Sequence, residues 1–247
     1  GILKKVTDVF EAAGIRYYIF DGVESNPPMG VVEAAVFFYQ KHGCTMVIGL
    51  GGGSSIDVAK AISLMASRQG DIREYGAGKV IDGQLIPIYA IPTTAGTGSE
   101  VTRSAVITDS ENKVKMVLRG AQLIPECVFL DPEILAFIPQ KVAAETGADA
   151  LTHAVESYVS LNSTVITEAL ALSSVKLIGK YLRRMVGNPE DIEAALVRLR
   201  EQGFTNDIEF ARFWAENRST FSPRSRTLTH SELRKKGVAD DIIRESV

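Results

Sequence analysis

The sequence predicts an α/β fold in which a partial doubly wound parallel sheet is followed by an all-α segment and a small three-helix C-terminal module. Three features point there. Short apolar runs at 46–50 and 85–91 end at glycine- or threonine-rich turns and alternate with helical patterns, as in a parallel sheet that binds its ligand at the carboxyl ends of the strands. Two long helical patterns, 142–160 and 165–186, then follow one another with no strand between them. From 191 onward the chain is arginine-rich and alanine-poor and holds its single tryptophan, Trp214. The expected domains are therefore 1–138, 139–188 and 189–247.

Each element has a local reason. Ile2, Val6, Val9, Phe10 and Ala13 form a helical stripe closed by Gly14, and Tyr17-Tyr18-Ile19-Phe20 reads as a strand entering Asp21-Gly22. Asn26-Pro27-Pro28 is a turn, and Val31 to His42 a second helix stopped by Gly43, with His42 complementing the dipole of its last turn. A strand at 45–50 opens into Gly51-Gly52-Gly53. Ser54 begins a helix to 68, whose stripe holds Ile56, Ala59, Lys60, Ile62 and Ser63. Ser104–Thr108 and Lys113–Leu118, joined by the polar Asp109-Ser110-Glu111-Asn112, read as a hairpin. In the last module, helices are expected over 192–201, 208–218 and from Ser222-Pro223 to Lys236, the second with an aromatic core stripe of Phe210, Phe213 and Trp214.

Lysine and arginine number 27 against 30 aspartates and glutamates, and the net charge of −3 gives no overall attraction to nucleic acid or anionic membrane. No apolar run reaches membrane-spanning length and the first helix is not a signal peptide, so a cytoplasmic location is the default expectation. Cys44 and Cys127 lack CxxC spacing, which argues against a disulfide framework or cysteine-ligated zinc and predicts two buried thiols. The chain opens in mid-helix without an initiator methionine, so an upstream part is expected to be absent.

Strand, glycine turn and helix, in that order, aim free backbone N–H groups and a helix dipole at an anion. A glycine turn at a strand end is also an ordinary tight connection. The second loop, Pro92-Thr93-Thr94-Ala95-Gly96-Thr97-Gly98-Ser99-Glu100, adds hydroxyl donors suited to phosphate and ribose oxygens, and together the two stretches read as a cradle for a phosphate-bearing cofactor. Asp149 and His153, four apart on a helix, leave one face about a turn apart. That spacing suits a divalent cation or, more blandly, a local contact between carboxylate and imidazole.

Three signatures carry a family resemblance: Gly51-Gly52-Gly53-Ser54-x-x-Asp57-x-x-Lys60, Pro92 to Thr102, and Gly147-x-Asp149-Ala150-Leu151-Thr152-His153-Ala154-x-Glu156. Together they resemble the iron-dependent (group III) alcohol dehydrogenases, over residues 1–188. The resemblance implies hydride transfer between a small alcohol or aldehyde and NAD or NADP, assisted by a divalent metal, iron or zinc. It implies cofactor contacts from Asn26, Gly51, Gly52, Gly53, Ser54, Asp57, Thr93, Thr94, Thr97, Ser99, Val106 and Lys115, the last reaching the nicotinamide ribose. Read alone, Asn26 is equally a turn residue and Lys115 a solvated surface lysine. The resemblance also implies metal ligation by Asp149 and His153. The family's two further histidine ligands have no counterpart, since His42, His153 and His230 are the only histidines. Weak cofactor and metal binding with little turnover is the resulting expectation, and assembly as a homo-oligomer stays open.

Leu199–Phe204, Phe210–Arg218, Phe221–Arg224 and Glu232–Val238 resemble one helical repeat of RecX-type regulators of the RecA recombinase. That resemblance implies RecA or nucleic acid as a partner of 191–247, through Arg218, Arg224, Arg226, Arg234, Lys235 and Lys236; a solvated basic face is the alternative. Two unlike segments meeting near Pro189 suggest a fusion, a misassembled frame or an artificial chain, with a chain lacking function as a further reading.

Overall fold

The computed structural model describes residues 1–185, 226–235 and 240–246. Two compact units divide the chain, Gly1–His153 and Ala154–Val247.

In the first unit, α1 (Ile2–Ala12) and α2 (Met29–Lys41) precede β1 (Val47–Gly51) and α3 (Gly53–Ser67). The short α4 (Ile72–Gly76) begins at Asp71, whose carboxylate accepts a hydrogen bond from the Arg73 amide at 2.8 Å, and leads to β2 (Ile88–Pro92). A one-turn 3₁₀ helix, Ser99–Val101, connects to the hairpin of β3 (Ser104–Asp109) and β4 (Val114–Arg119), and β5 (Cys127–Val128) follows. The sheet order is β1–β2–β5, all parallel, with Val47 opposite Ile88 and Gly51 opposite Pro92. The chain passes from β1 to β2 through α3, the crossover that parallel strands require.

Helix α3 organises the core. Ile56, Val58, Ala61 and Leu64 are almost fully buried, and Val58, Ala61 and Leu64 join Ile107, Leu118 and Leu123 in one apolar cluster. Burial of each larger side chain contributes about 1.5–3 kcal/mol. The hairpin turn is built around Asp109, as the polar 109–112 stretch predicts: its Oδ1 accepts from the amides of Glu111 (3.0 Å) and Asn112 (3.1 Å), and its Oδ2 from Arg73 Nε (2.9 Å). The guanidinium beside Asp109 holds that carboxyl far below the usual carboxylate range.

Two expectations fail here. Residues 17–20 form no strand, because among the described residues no second strand pairs with them and 16–20 make no backbone hydrogen bond. The thiols are not buried either: Cys127 is exposed and Cys44 half-buried, since Cys127 lies in a two-residue strand at the sheet border and Cys44 in the turn leaving α2.

Helix α6 (Gln140–Val159) follows a short α5 (Pro132–Leu135) and matches the predicted 142–160 pattern. In the second unit, α7 (Val165–Met185) starts from a reciprocal cap: the Thr164 amide donates to Thr167 Oγ1 (2.7 Å) and the Thr167 amide to Thr164 Oγ1 (3.2 Å). Two later helices, Arg226–Lys235 and Asp240–Ser246, bury Leu233 and Ile243. The helices expected at 192–201 and 208–218, with their aromatic stripe, lie outside the described residues, as do Arg218, Arg224 and Lys236. Among the described residues no helix is long and apolar enough to cross a membrane.

Candidate cofactor and metal site

The two motifs leave adjacent strands at the same end of the sheet. Gly51 closes β1 opposite Pro92, which closes β2, and the Thr93 amide donates to the Gly51 carbonyl at 2.9 Å. The glycine turn and the threonine loop therefore share one crevice at the carboxyl ends of two parallel strands, where open α/β sheets bind ligands. Gly52 caps α3 with no side-chain hydrogen bond, leaving the amides of the first turn without a side-chain partner. A fifteen-residue helix opening on uncapped amides attracts an anion.

The cradle depends on missing Cβ atoms. A Cβ on Gly53 would stand 2.9 Å from Thr97 Oγ1, and one on Gly96 would collide with the Thr146 carbonyl oxygen. The second approach sets the threonine loop against α6, the helix that carries Asp149 and His153. Thr93, Thr94 and Thr97 are half-buried along the crevice, as are Gly51 to Ser54. The residues present fit a phosphate-bearing cofactor.

A polar network fixes the far side of the crevice. Asp57 Oδ1 accepts from Ser99 Oγ (2.5 Å) and its Oδ2 from the Val106 amide (3.0 Å), tying α3 to the loop and to β3. Burial raises the Asp57 carboxyl, while Ser99, Val106 and Lys60 pull it back down. Lys115 Nζ donates to Asn26 Oδ1 (2.8 Å), and Thr108 Oγ1 donates to the Asn26 carbonyl (3.1 Å). Asn26 itself holds a left-handed backbone with φ of 54°. The turn at 26, the hairpin and α3 thus converge, and the cofactor residues expected from the sequence fall on these segments, on the glycine turn and on the threonine loop.

Lys60 is not among the site residues expected from the sequence. Its ammonium, 0% exposed, donates to the carbonyls of Ser99 (2.6 Å), Thr102 (2.8 Å) and Ser104 (2.8 Å). Burial pushes it down to about 8, against the raising effect of Asp57 and Glu100. The signal was legible: a lysine on the buried stripe of α3 needs acceptors.

Asp149 and His153 project from one turn of α6 with Oδ1 and Nε2 3.8 Å apart. Two such atoms suit a divalent cation, but among the described residues no group of three His, Cys, Asp or Glu side chains is placed to hold one.

Residues 1–132 match the family model described as iron-containing alcohol dehydrogenase. The chain belongs to the iron-containing alcohol dehydrogenase family. Residues 143–234 match the description Fe-containing alcohol dehydrogenase family, C-terminal, so the family extends past residue 188, the end expected from the sequence, and the RecX-type reading of 191–247 receives no support. Among curated relatives, the NAD-dependent methanol dehydrogenase of Bacillus methanolicus is 40% identical over 194 residues, 78% of this chain and 51% of the relative. Among solved structures, NADH-dependent butanol dehydrogenase A from Thermotoga maritima superposes with a TM-score of 0.71 at 31% identity, covering 78% of this chain and 49% of that one. Sulfoacetaldehyde reductase from Bifidobacterium kashiwanohense, in complex with NAD+, gives 0.69 at 26% identity, covering 98% of this chain and 75% of that one. The chain spans about half the length of the curated relatives it matches.

Proposed function

We propose that this iron-containing alcohol dehydrogenase chain binds NAD or NADP across the ends of β1 and β2 and takes part in hydride exchange between a small alcohol and its aldehyde. The supporting observation is the shared exit of the glycine turn and the threonine loop, Gly51 opposite Pro92, over the uncapped start of α3. In this reading the amides of Gly51 to Ser54 hold the pyrophosphate, and Thr93, Thr94 and Thr97 donate to phosphate and ribose oxygens. Lys115, poised on Asn26, turns its ammonium to the nicotinamide ribose beside Val106. Asp57 and Ser99 hold the loop and hairpin in register from behind.

When bound, the nicotinamide exchanges the hydride and a divalent metal, iron or zinc, polarises the alcohol oxygen. Among the described residues Asp149 and His153 are the ligands this chain offers, and Thr146, one turn before Asp149, brings their helix against the threonine loop. A centre with two protein ligands holds its metal loosely, which limits turnover. The relatives named for methanol, butanol and sulfoacetaldehyde support a small alcohol or aldehyde as substrate.

The test is butanol oxidation followed as NADH formation with iron(II) or zinc added. Slow, metal-dependent turnover that Asp149→Ala abolishes is expected. Turnover at about one per second or faster in the presence of chelator would contradict the metal assignment.

A further inference from the structure

The threonine loop lies between two helices, and glycines clear the space on both sides of it. Toward α3, a Cβ on Gly52 would stand 3.4 Å from Thr94 Oγ1, and one on Gly53 2.9 Å from Thr97 Oγ1. Toward α6, a Cβ on Gly96 would collide with the carbonyl oxygen of Thr146 and stand 2.7 Å from its carbonyl carbon and its Cβ. The two sides differ in kind. A threonine side chain can change rotamer to admit a methyl group, whereas the Thr146 carbonyl is held in the backbone of a twenty-residue helix. Gly98 takes the left-handed backbone, with φ of 65°, and Gly96 does not. The approach to α6 is therefore what requires glycine at position 96.

The place of that approach on α6 joins it to the metal pair. Thr146, Asp149 and His153 stand at positions i, i+3 and i+7, so one face of the helix carries all three. Thr146 Oγ1 is turned back onto the Val142 carbonyl (2.9 Å), which leaves the backbone of α6 as the surface that meets Gly96. On the loop, Thr94 and Thr97, two of the hydroxyls assigned to phosphate and ribose, flank Gly96 within two residues.

We infer that Gly96 is a positioning residue that couples the two halves of the site: its bare contact with Thr146 holds the threonine loop and α6 in one arrangement, which a dinucleotide on the loop and a divalent cation on Asp149 and His153 both require. Whichever ligand binds first fixes the contact, so the second binds more tightly. The inference rests on the cofactor and metal assignments proposed above.

The test is a binding cycle on the full chain, with zinc(II) affinity read by calorimetry with and without NADH, and NADH affinity read by fluorescence with and without zinc(II). Each ligand should tighten the other about fivefold or more, by the same factor in both directions. Zinc(II) alone should slow amide exchange in the loop at Thr94 to Thr97, a readout that needs no variant. Gly96→Ala should bring the factor below about twofold, and Thr146→Val, which keeps the carbonyl, should leave it unchanged. Attraction between the cation and the pyrophosphate would also give positive coupling, but raising salt from about 0.1 M to about 1 M shortens screening from ~10 Å to ~3 Å and would abolish it. A factor below about twofold in wild type with both ligands bound overturns the inference. So does a factor that survives Gly96→Ala or disappears at high salt. If wild type fails to bind NADH or zinc(II) at all, the assignments beneath the inference fall, and it falls with them.

Discussion

The Nζ of Lys60 lies 2.6 Å from the carbonyl oxygen of Ser99. With Thr102 and Ser104 as further acceptors, the three protons of one buried ammonium meet three carbonyls of the turn that joins the threonine loop to the hairpin. Helix α3 thus holds the loop from beneath while its own N-terminus faces the crevice.

Lys60→Met removes those donors and leaves three carbonyls poorly satisfied, for a loss of at least about 2 kcal/mol in urea unfolding. Lys60→Arg should not restore stability, because a planar guanidinium fork cannot replace the compact ammonium in this space. Stability equal to wild type in either variant would remove Lys60 from this role.

The same lysine gives a pH signature. Its folded value, lowered by burial to about 8, lies below the ordinary lysine value of about 10.4. Between those two values the unfolded chain binds more protons, so this residue's contribution to stability rises with pH through that window. The urea midpoint of wild type should therefore gain relative to Lys60→Met between about pH 7.5 and pH 9.5. Parallel pH profiles for the two proteins would contradict the burial of a charged lysine.

Asp109 behaves in the opposite sense. Arg73, first, and then Asn112 depress its carboxyl, so its stabilisation is complete above the ordinary aspartate range and disappears as pH falls through the lowered value. Asp109→Asn should destabilise the chain at neutral pH and flatten its acid limb while leaving NADH affinity unchanged, since Asp109 bonds Arg73 and the turn residues Glu111 and Asn112, none of which is assigned to the cofactor. Circular dichroism melts across the acid range check the first part and a fluorescence titration the second.

Asp149 and His153 should bind zinc or iron(II) weakly, in the micromolar range or above, and either Ala variant should abolish it. Calorimetry on the full chain reads this directly. Nanomolar affinity would mean that further protein ligands complete the centre.

The crevice at the ends of β1 and β2 was legible because its information is local: Gly51-Gly52-Gly53 and the threonine run each specify a turn, and both follow apolar strands of five residues. The hairpin was legible for the same reason, its turn fixed by Asp109 and its immediate neighbours. Tyr17 to Phe20 misled because high β-propensity describes a pleated, half-buried surface and cannot supply the second strand. Cys127 misled because burial of a small apolar residue depends on how far its strand extends, and β5 is two residues long. Lys60 sat in plain view on the stripe of α3, but its acceptors lie 39 to 44 positions away and only the fold brings them together.

The most direct measurement is an NADH titration of the full chain followed by amide exchange. Saturable binding with protection centred on Gly52 to Ser55 and Thr93 to Thr97, weakened about tenfold or more by Gly53→Val, is the predicted result. Failure to bind at about 1 mM NADH, or protection elsewhere with this crevice unchanged, would contradict the proposed cofactor site.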